Sequence, residues 1–359
     1  MPHAVCYVHA YVPHHNAGAE TTIHDLNRAL VAAGWHVTVL LSRPSEPEVV
    51  QPYTIDGVRV IPFLSKHQPG EWFAKADVVI SHLDSSERAA YLTRQLGVPL
   101  VQVIHNTMWQ TEGYLSIGCE LAVYNTDWVK KHHDQAAESL VSKIATLGQV
   151  TWSIRQYSEW DSVVVHPPID ASRYEIPDNA PAERGYVTLV NLWAGATDGW
   201  TGKGPHILYA LAKEMPDVNF MGVVGGYGAQ DIRSDVKNVR IVENTADITR
   251  EVYAHTKVLL MPSKYESFGR VAIEAAASGI PTIANPTEGL VEALGPDGIF
   301  CPLDDIRRWK ITLRHLLANR DYYKLQSDAA RLRSAYWTAQ RETELAEFVS
   351  AVNNVVAKE

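Results

Sequence analysis

The sequence predicts an α/β protein made of two Rossmann-like units, each with a doubly wound parallel sheet. Three observations support this prediction. The chain has 359 residues, more than one domain usually holds. Short apolar runs alternate with amphipathic helical segments along its length. Residues 4–41 and residues 185–215 both read as a strand, a loop and a helix, so each half of the chain opens with a βα unit.

Composition argues against several classes of protein. Through His166 there are 11 basic against 16 acidic residues, and after it 21 against 25, so neither half has the basic surplus of a nucleic-acid-binding domain. The chain has three cysteines, Cys6, Cys119 and Cys301, and no two of them form a C-x-x-C motif. This spacing argues against a disulfide framework and fits a reducing cytoplasm. No apolar run reaches ~18 residues, so we expect at most a peripheral contact with a membrane.

Polar residues follow the predicted strands of the first half. The strand at residues 4–12 leads into a loop that contains Gly18 and then into a helix. Residues 76–81 form another strand with His82 after it, and a later strand ends at His105. Ligands of open α/β sheets bind at the carboxyl ends of strands, so His105 is the histidine we favour for a site. The alternative is a histidine that only bonds nearby backbone.

The end of the first half is less informative. Residues 120–134 read as a short strand and the start of a helix, with Thr126 or Asp127 as the N-cap. Residues 136–160 are long and polar, and they form either an insertion or a loop that shapes an acceptor site. The pairs His14-His15 and His132-His133 lack a carboxylate or cysteine at ligand spacing, so we expect no bound metal.

The second half begins with a strand at residues 185–193 and a glycine-rich loop that carries Lys203. Lys203 is either an anion ligand or an ordinary surface lysine. Residues 218–228 read as a strand with a glycine turn that includes Gly225, and residues 239–244 as a further strand ending at Asn244. Glycine permits close approach of a ligand to the backbone, although it also suits any tight turn.

Residues 261–283, MPSKYESFGRVAIEAAASGIPTI, form the most informative stretch. They read as a strand end, a loop, a helix from about residue 268 to residue 278 that closes at Gly279, and a second strand. The backbone N–H groups of Ser267, Phe268, Gly269 and Arg270 would surround the N-terminus of this helix. A helix N-terminus is well suited to bind a phosphate group.

Two glutamates accompany this predicted anion site. Glu266 lies just before the helix, and Glu274 lies one to two turns inside it. An ionised carboxylate only accepts hydrogen bonds, so the neutral hydroxyls of a ribose are natural partners for Glu274. The alternative interpretation is that both glutamates favour the helix dipole.

The pattern E-S-F-G-x-x-x-x-E followed by A-x-G-x-P, at residues 266–281, resembles the E-x7-E signature of GT-B fold glycosyltransferases, in particular the retaining family 4 (glycosyl transferases group 1). The likeness extends over most of the chain. It implies an acceptor domain at residues 1–168 and a nucleotide-sugar donor domain at residues 169–338, two Rossmann-like domains facing across a cleft. Of the last predicted helices, at residues 305–319, 321–336 and about 339–357, the third would cross back to the first domain.

The resemblance also implies roles for individual residues. Glu274 would hold the donor ribose, and Glu266 and His105 would lie near the donor sugar. The backbone of Phe268 and Gly269 would meet the diphosphate.

Two positions depart from the family pattern. Asn191 stands where the family has an arginine, which shifts more of the diphosphate clamp to Lys203 and the helix N-terminus. Ala17 replaces the first glycine of a pair, which leaves Gly18. Val242 and Asn244 are candidates for contact with the nucleobase.

Together these features predict a retaining, metal-independent transfer of a hexose from a nucleotide-diphosphate sugar, with UDP or GDP favoured, to a hydroxyl acceptor. No cofactor is expected, and the acceptor is left open among a sugar, a lipid headgroup, a protein and a modified base. The alternatives are a nucleotide-sugar epimerase or a phosphorylase on the same fold, or a non-catalytic sugar-nucleotide binding protein. The predicted catalytic residues are His105, Lys203 and Glu266. The predicted donor-binding residues are Gly18, Asn191, Lys203, Gly225, Val242, Asn244, Ser267, Phe268, Gly269 and Glu274.

Overall fold

The computed structural model describes residues 1–44, 51–63, 69–147, 160–176, 185–195, 202–226 and 228–358. They divide into two compact units. One consists of Met1–Pro168 with Arg341–Glu359, and the other of Ile169–Gln340. Both units are built on a largely parallel sheet covered by helices, which confirms the predicted α/β class and the two Rossmann-like units.

The first unit contains an eight-stranded sheet in the order β3-β4-β2-β1-β5-β6-β7-β8. The neighbouring strands are parallel except for the β3–β4 hairpin, which is antiparallel. The strands are β1 (His3–Val8), β2 (His36–Leu41), β3 (Tyr53–Ile55), β4 (Val58–Ile61), β5 (Val78–His82), β6 (Leu100–Ile104), β7 (Leu121–Tyr124) and β8 (Asp161–Val164). The helices are α1 (Gly18–Ala32), α2 (Pro69–Phe73), α3 (Ser86–Leu96), α4 (Trp109–Ile117) and α5 (Asp127–Leu147).

Both faces of this sheet are covered, which explains why its central strands are largely apolar. Along β1, Ala4, Cys6 and Val8 face one hydrophobic cluster, and Val5 and Tyr7 face the other. The strand ends at Val8, earlier than the predicted residue 12, so the chain leaves the sheet at His9.

The ends of α5 bear on two of the sequence predictions. The helix begins at Asp127, and the Thr126 hydroxyl accepts a hydrogen bond from the Val129 N–H (3.3 Å), which makes Thr126 the N-cap. Residues 136–147 of the polar stretch belong to this helix, whereas residues 148–159 lie outside the described residues.

The second unit contains a six-stranded parallel sheet in the order β11-β10-β9-β12-β13-β14. Its strands are β9 (Tyr186–Val190), β10 (Asn219–Val223), β11 (Val239–Val242), β12 (Thr256–Met261), β13 (Thr282–Ala284) and β14 (Ile299–Phe300). Its helices are α6 (Pro205–Glu214), α7 (Ile248–Glu251), α8 (Arg270–Ala277), α9 (Glu288–Leu294) and α10 (Ile306–Ala318). Counted within the unit, the order is that of a dinucleotide-binding Rossmann sheet, and it reverses between β9 and β12.

The central strands of the second sheet are also apolar on both faces. Val187 and Leu189 of β9 belong to one hydrophobic cluster, and Tyr186 and Val190 pack against the other. Polar groups are thereby displaced to the strand ends, where the loops can hydrogen-bond them.

The last helix, α11, runs without interruption from Arg320 to Ala357. The prediction of two helices, at residues 321–336 and 339–357, was therefore wrong. No glycine or proline interrupts this stretch. Trp337, at the predicted break, is buried, and its Nε1 donates to the Ala293 carbonyl (2.8 Å). Nothing in the local sequence or packing therefore ends the helix there.

From Arg341 onward, α11 belongs to the first unit. Phe348, Val352 and Val355 are buried in one of its hydrophobic clusters. Trp35 Nε1 donates to Asn353 Oδ1 (3.2 Å). The C-terminal turns of the helix therefore complete the core of the unit that the N-terminus of the chain begins.

Among the described residues, no helix combines the length and the apolar character that crossing a bilayer requires.

Replacing Phe348 with alanine should destabilise the first unit by about 3–5 kcal/mol, because truncation of a fully buried phenylalanine leaves a cavity. Leu332→Ala is the matched control, since Leu332 lies on the same helix but is 73% exposed. Chemical denaturation followed by circular dichroism measures both. Equal free energies of unfolding for the two variants would contradict the placement of residues 341–357 in this core.

Candidate active site

The loops that leave β9 and β12 meet at the point where the strand order of the second unit reverses. Crevices at such points bind ligands in open α/β sheets. The Lys203 N–H donates to the Trp193 carbonyl (2.9 Å), and the Lys264 N–H donates to the Gly202 carbonyl (3.0 Å). The backbone of one loop is thereby tied to that of the other, and Lys203 is fixed beside the end of β12.

The structure brings Lys203 and Glu266 together. Lys203 Nζ donates to Glu266 Oε1, which also accepts a hydrogen bond from the Ser263 hydroxyl (3.1 Å). Asn285 Nδ2, just beyond β13, donates to the Ser263 carbonyl (2.9 Å). An ammonium group has three donors, so Lys203 can pair with Glu266 and still donate to a second anion.

Two glycines let the surrounding backbone approach this pair. Gly204 has a φ of 72°, and a Cβ there would collide with the Pro262 carbonyl. Gly289, in the first turn of α9, lies against the backbone of Glu266 and Ser267, where a Cβ would also collide. A side chain at either position would force apart the loops that hold Lys203 and Glu266.

Glu274 lies inside α8 and is mostly buried. Its Oε1 accepts from Arg270 Nε (2.7 Å), and its Oε2 accepts from the Tyr253 hydroxyl (3.0 Å). Burial, and then the Glu274 carboxylate, raise the pKa of Tyr253 well above its ordinary value, so this phenol stays a donor. The same two causes raise the pKa of Tyr174 to about 12.

The side chain of Arg270 was given no role in the predicted site. It is the first residue of α8 and forms an ion pair with Glu274 in which both side chains are about one-tenth exposed. The i,i+4 spacing within the glutamate motif is the signal that could have identified it.

The segment before α8 is held in place from two sides. The helix begins at Arg270 rather than near residue 268, and Gly269 is its N-cap with a φ of 93°. Phe268 is buried, with its ring 5.0 Å from that of Trp337. Ser267 lies against Gly289. The peptide groups of Ser267, Phe268 and Gly269 therefore occupy fixed positions at the entrance to the helix.

Asn191 follows β9 in a left-handed conformation, with a φ of 74°, which asparagine tolerates better than most residues. Its Oδ1 accepts a hydrogen bond from the Trp193 N–H (3.0 Å), and its side chain lies directly beside Gly225. These contacts show that the Asn191 side chain stabilises the turn at the start of the Lys203 loop.

The predicted nucleobase residues lie at the ends of the neighbouring strands β10 and β11. The Gly225 N–H donates to Gln230 Oε1 (2.9 Å). Asn244, which is exposed, donates through Nδ2 to the Val224 carbonyl (3.3 Å). Val242 is the last residue of β11. The structure thus places Gly225, Val242 and Asn244 at the same edge of the sheet as Asn191.

A second group of polar side chains lies at the strand ends of the first unit, where its sheet also reverses order. His9 follows β1, His82 ends β5, and His105 follows β6. His82 Nδ1 lies 3.0 Å from His105 Nε2, and His9 Nε2 lies 3.3 Å from Glu20 Oε1 on α1. We call His9, Glu20, His82 and His105 the histidine cluster.

Burial governs the chemistry of the histidine cluster. It lowers the pKa of His105 to about 4, although Glu20 acts in the opposite direction. Burial, and then His105, lower the pKa of His82 well below its ordinary value. Both rings are therefore neutral at pH 7, and each has one donor and one acceptor nitrogen.

Sequence reasoning found His105 in this group but gave no role to its neighbours. His82 also ends a predicted strand, which was the available signal. His9 was hidden inside a strand predicted four residues too long, and Glu20 was assigned to the loop before the first helix, whereas it lies buried in the first turn of α1. Gly18 is the first residue of α1. No heavy atom lies within 4 Å of the position that a Cβ would occupy there, so lack of space does not require a glycine.

The adjacent histidine pairs have separate surroundings. His132 Nε2 lies 3.6 Å from Glu112 Oε1 in an exposed position. His133 Nε2 lies 2.9 Å from the Asn106 carbonyl. The two rings of this pair point in different directions, at an interplanar angle of 89°.

Two family models match the chain. The glycosyl transferase 4-like domain matches residues 17–147, which include Gly18, Glu20, His82 and His105. The domain named glycosyl transferases group 1 matches residues 203–319, which include Lys203, Glu266 and Glu274. The two matches thus cover the candidate residues of both units except His9 and Asn191.

Curated relatives carry the names of glycosyltransferases. A glycogen synthase of Mycobacterium tuberculosis is 26% identical over 384 aligned positions, which cover 90% of this chain and 88% of that protein. A D-inositol 3-phosphate glycosyltransferase of Mycobacteroides abscessus is 27% identical over 271 positions, which cover 71% of this chain and 60% of that protein.

Solved structures agree on the fold. Sucrose-phosphate synthase from Thermosynechococcus elongatus superposes with a TM-score of 0.71 at 17% identity, over 100% of both chains. The Anabaena protein HepE in complex with UDP-glucose superposes with a TM-score of 0.72 at 15% identity, over 99% of this chain and all of that one. Taken with the two domain matches and the named relatives, these similarities show that the chain is an enzyme of the group 1 glycosyltransferases, with the GT-B fold.

Proposed function

We propose that this enzyme moves a hexose from a nucleotide-diphosphate sugar to a hydroxyl acceptor, with retention of the anomeric configuration. The observation that carries the proposal is the meeting of Lys203, Glu266 and the start of α8 where the strand order reverses between β9 and β12. This is the position at which a Rossmann-type sheet holds a phosphorylated ligand. The similarity to a structure solved in complex with UDP-glucose supports a nucleotide sugar as the donor.

The diphosphate would lie between Lys203 and the N-terminal end of α8. Negative charge grows on this leaving group as the bond to the sugar breaks, and preorganised donors there lower the barrier. Lys203 is held by Glu266 in the structure, so its position is set before a donor binds. Because the protein supplies the positive charge, we propose that the reaction needs no divalent cation on the diphosphate.

Glu274 would accept hydrogen bonds from the ribose hydroxyls. Each of its oxygens accepts one hydrogen bond from a protein side chain, and a carboxylate has about four acceptor positions. Arg270 and Tyr253 fix the direction of the carboxylate. Both Arg270 and Lys203 are paired with a glutamate, so we propose that the diphosphate is bound by the remaining donors of Lys203 and by the N–H groups at the start of α8.

His105 would contact the transferred sugar as a neutral imidazole. A neutral ring can both donate to and accept from sugar hydroxyls, and its lowered pKa keeps it in that form. It would therefore orient the sugar without placing a second positive charge near the reaction centre.

UDP is the first choice for the donor nucleotide, because HepE was solved with UDP-glucose, and GDP is the second. For the acceptor, the names of the relatives favour a sugar or cyclitol hydroxyl over a lipid, a protein or a modified base. We propose that the reaction takes place in the cytoplasm. The three cysteines are free thiols, as expected in a reducing compartment.

Two other activities would use the same donor site. An epimerase would convert the donor sugar with no acceptor present, and a binding protein would hold the donor and release no diphosphate. Incubation of the chain with a bound donor, with and without candidate acceptors, separates these activities from transfer.

The donor is identified by thermal shift with UDP-, GDP-, ADP- and dTDP-sugars in the absence of divalent cations. We expect one nucleotide to stabilise the chain by roughly 2.7 kcal/mol at 100 times its Kd. Absence of stabilisation by all four would contradict the proposed donor site.

Lys203→Ala should weaken binding of the selected nucleoside diphosphate and of pyrophosphate by roughly 10- to 100-fold, the loss of about 1.5–3 kcal/mol for a hydrogen bond to a charged group. Binding of the free nucleoside should not change, because it carries no phosphate. Calorimetric titration measures all three ligands, and Lys264→Ala, an exposed lysine in the neighbouring loop after β12, is the control. If the variant bound the free nucleoside as weakly as it binds the nucleoside diphosphate, the substitution would have damaged the whole site.

Glu274→Gln should give the reciprocal result. Binding of the nucleoside and of the nucleoside diphosphate should weaken by roughly 10-fold, because a neutral amide is a poorer acceptor for ribose hydroxyls. Binding of pyrophosphate should not change. Glu288→Gln, at an exposed position at the start of α9, is the control. A thermal melt of each variant shows whether the loss of the pairing with Arg270 has unfolded the site. Unchanged nucleoside binding by folded Glu274→Gln protein would exclude a ribose contact.

The stereochemistry of the product tests retention directly. With an α-linked donor sugar, proton NMR of the product should show the α-anomer, and addition of Mg²⁺ or Mn²⁺ should not raise the rate. A β-linked product would exclude the retaining mechanism, and a rate that depended on added Mg²⁺ would show that Lys203 and α8 do not compensate the diphosphate by themselves.

A further inference from the structure

The histidine cluster contains a set of metal-ligand atoms that the transfer reaction does not require. One atom from each of His9, Glu20 and His82 lies within 4.8 Å of the other two. These side chains come from β1, α1 and β5, and they are 6%, 1% and 0% exposed. Two imidazoles and a carboxylate are thus brought together in the interior of the first unit from sequence positions as far apart as 9 and 82.

The spacing suits a small tetrahedral ion. Zinc bonds of about 2.0–2.1 Å to nitrogen and oxygen place neighbouring tetrahedral ligands about 3.3–3.4 Å apart. His9 Nε2 and Glu20 Oε1 are 3.3 Å apart. The ligand atom of His82 lies within 4.8 Å of both, and its ring stacks on that of His9 with ring centroids 5.7 Å apart.

His105 supplies the outer contact that a metal-binding histidine usually has. His82 Nδ1 is engaged by His105 Nε2 at 3.0 Å, so Nε2 is the nitrogen of His82 that remains to bind a metal. This Nε2 is buried and has no hydrogen-bond partner among the described residues. A ligating imidazole that donates its other N–H to a neighbouring group has its tautomer and ring orientation fixed. His105 Nε2, at 3.0 Å, is placed to accept that hydrogen bond.

We propose that His9, Glu20 and His82 bind a transition-metal ion, zinc in the first place, with His105 orienting His82. Two imidazoles and one carboxylate form a ligand set that suits zinc and leaves a fourth position for water or another oxygen ligand. The proposed ligands belong to the first unit, whereas Lys203 and α8 belong to the second. The effect of the ion on transfer would pass through His82 to His105.

The metal content of the purified full-length chain, with any affinity tag removed, tests the proposal. After equilibration with zinc and desalting, we expect about one zinc ion per chain by elemental analysis, as for a site with three protein ligands. Replacement by Co²⁺ should give the visible absorption of a tetrahedral cobalt centre. Zinc should also raise the melting temperature, because a ligand that binds the folded state stabilises it.

Variants locate the ion. His82→Gln and Glu20→Gln should both lose the zinc and the cobalt absorption. His132→Gln should retain them, since it removes a histidine that lies near a carboxylate in an exposed position. Melting curves establish whether each variant is folded, and the titration of the unaltered chain decides the question if one is not.

Two outcomes would overturn the proposal. One is the absence of stoichiometric zinc and of a cobalt spectrum in the unaltered chain, which would show that the cluster is a hydrogen-bonded network without metal. The other is equal zinc content in folded His82→Gln and His132→Gln protein, which would place the bound zinc elsewhere. Neither outcome bears on donor binding by Lys203 and Glu274, which is measured separately.

Discussion

The constraint on which this structure depends is the coverage of both faces of each parallel sheet. Strands buried on both faces cannot carry ionised groups at low cost, so charged side chains gather at the strand ends. Where the strand order reverses, the loops at the carboxyl edge diverge and leave room for those side chains. Lys203 and Glu266 occupy this position in the second unit, and His9 and His82 occupy it in the first. The two candidate sites are therefore products of the same topology.

In the second unit, opposite charges are paired before a ligand arrives. Lys203 pairs with Glu266, and Arg270 pairs with Glu274. Isolated charges in partly buried positions would cost several kcal/mol each, and pairing offsets this cost while it fixes the side chains. Asn191 fits the same arrangement, because its side chain bonds the turn at the start of the Lys203 loop. Because Asn191 carries no charge where the family pattern has an arginine, the proposed diphosphate site depends more strongly on the position of Lys203.

In the first unit, the same burial has a different consequence. His82 and His105 are neutral, so their mutual contact fixes tautomers instead of neutralising charge. Glu20 lies beside His9 in an almost fully buried position. A carboxylate and imidazoles that face one another offer oxygen and nitrogen ligands to a cation, which hydrophobic residues of the same volume would not provide. The polar character of this buried cluster is therefore a departure from ordinary core packing.

Local sequence patterns by themselves determined the alternation of strands and helices, the division into two Rossmann-like units and the glutamate motif around α8. These features depend on neighbouring residues, so periodicity and spacing reveal them. Tertiary structure decided the rest. His9, Glu20 and His82 meet because β1, α1 and β5 are adjacent in space, and Arg270 joins Glu274 through the burial of one face of α8. The continuity of α11 also depended on packing, since the burial of Trp337 carries the helix across the point where two were predicted. Contacts between residues far apart in sequence are fixed by strand order and burial, and a linear pattern does not contain that information.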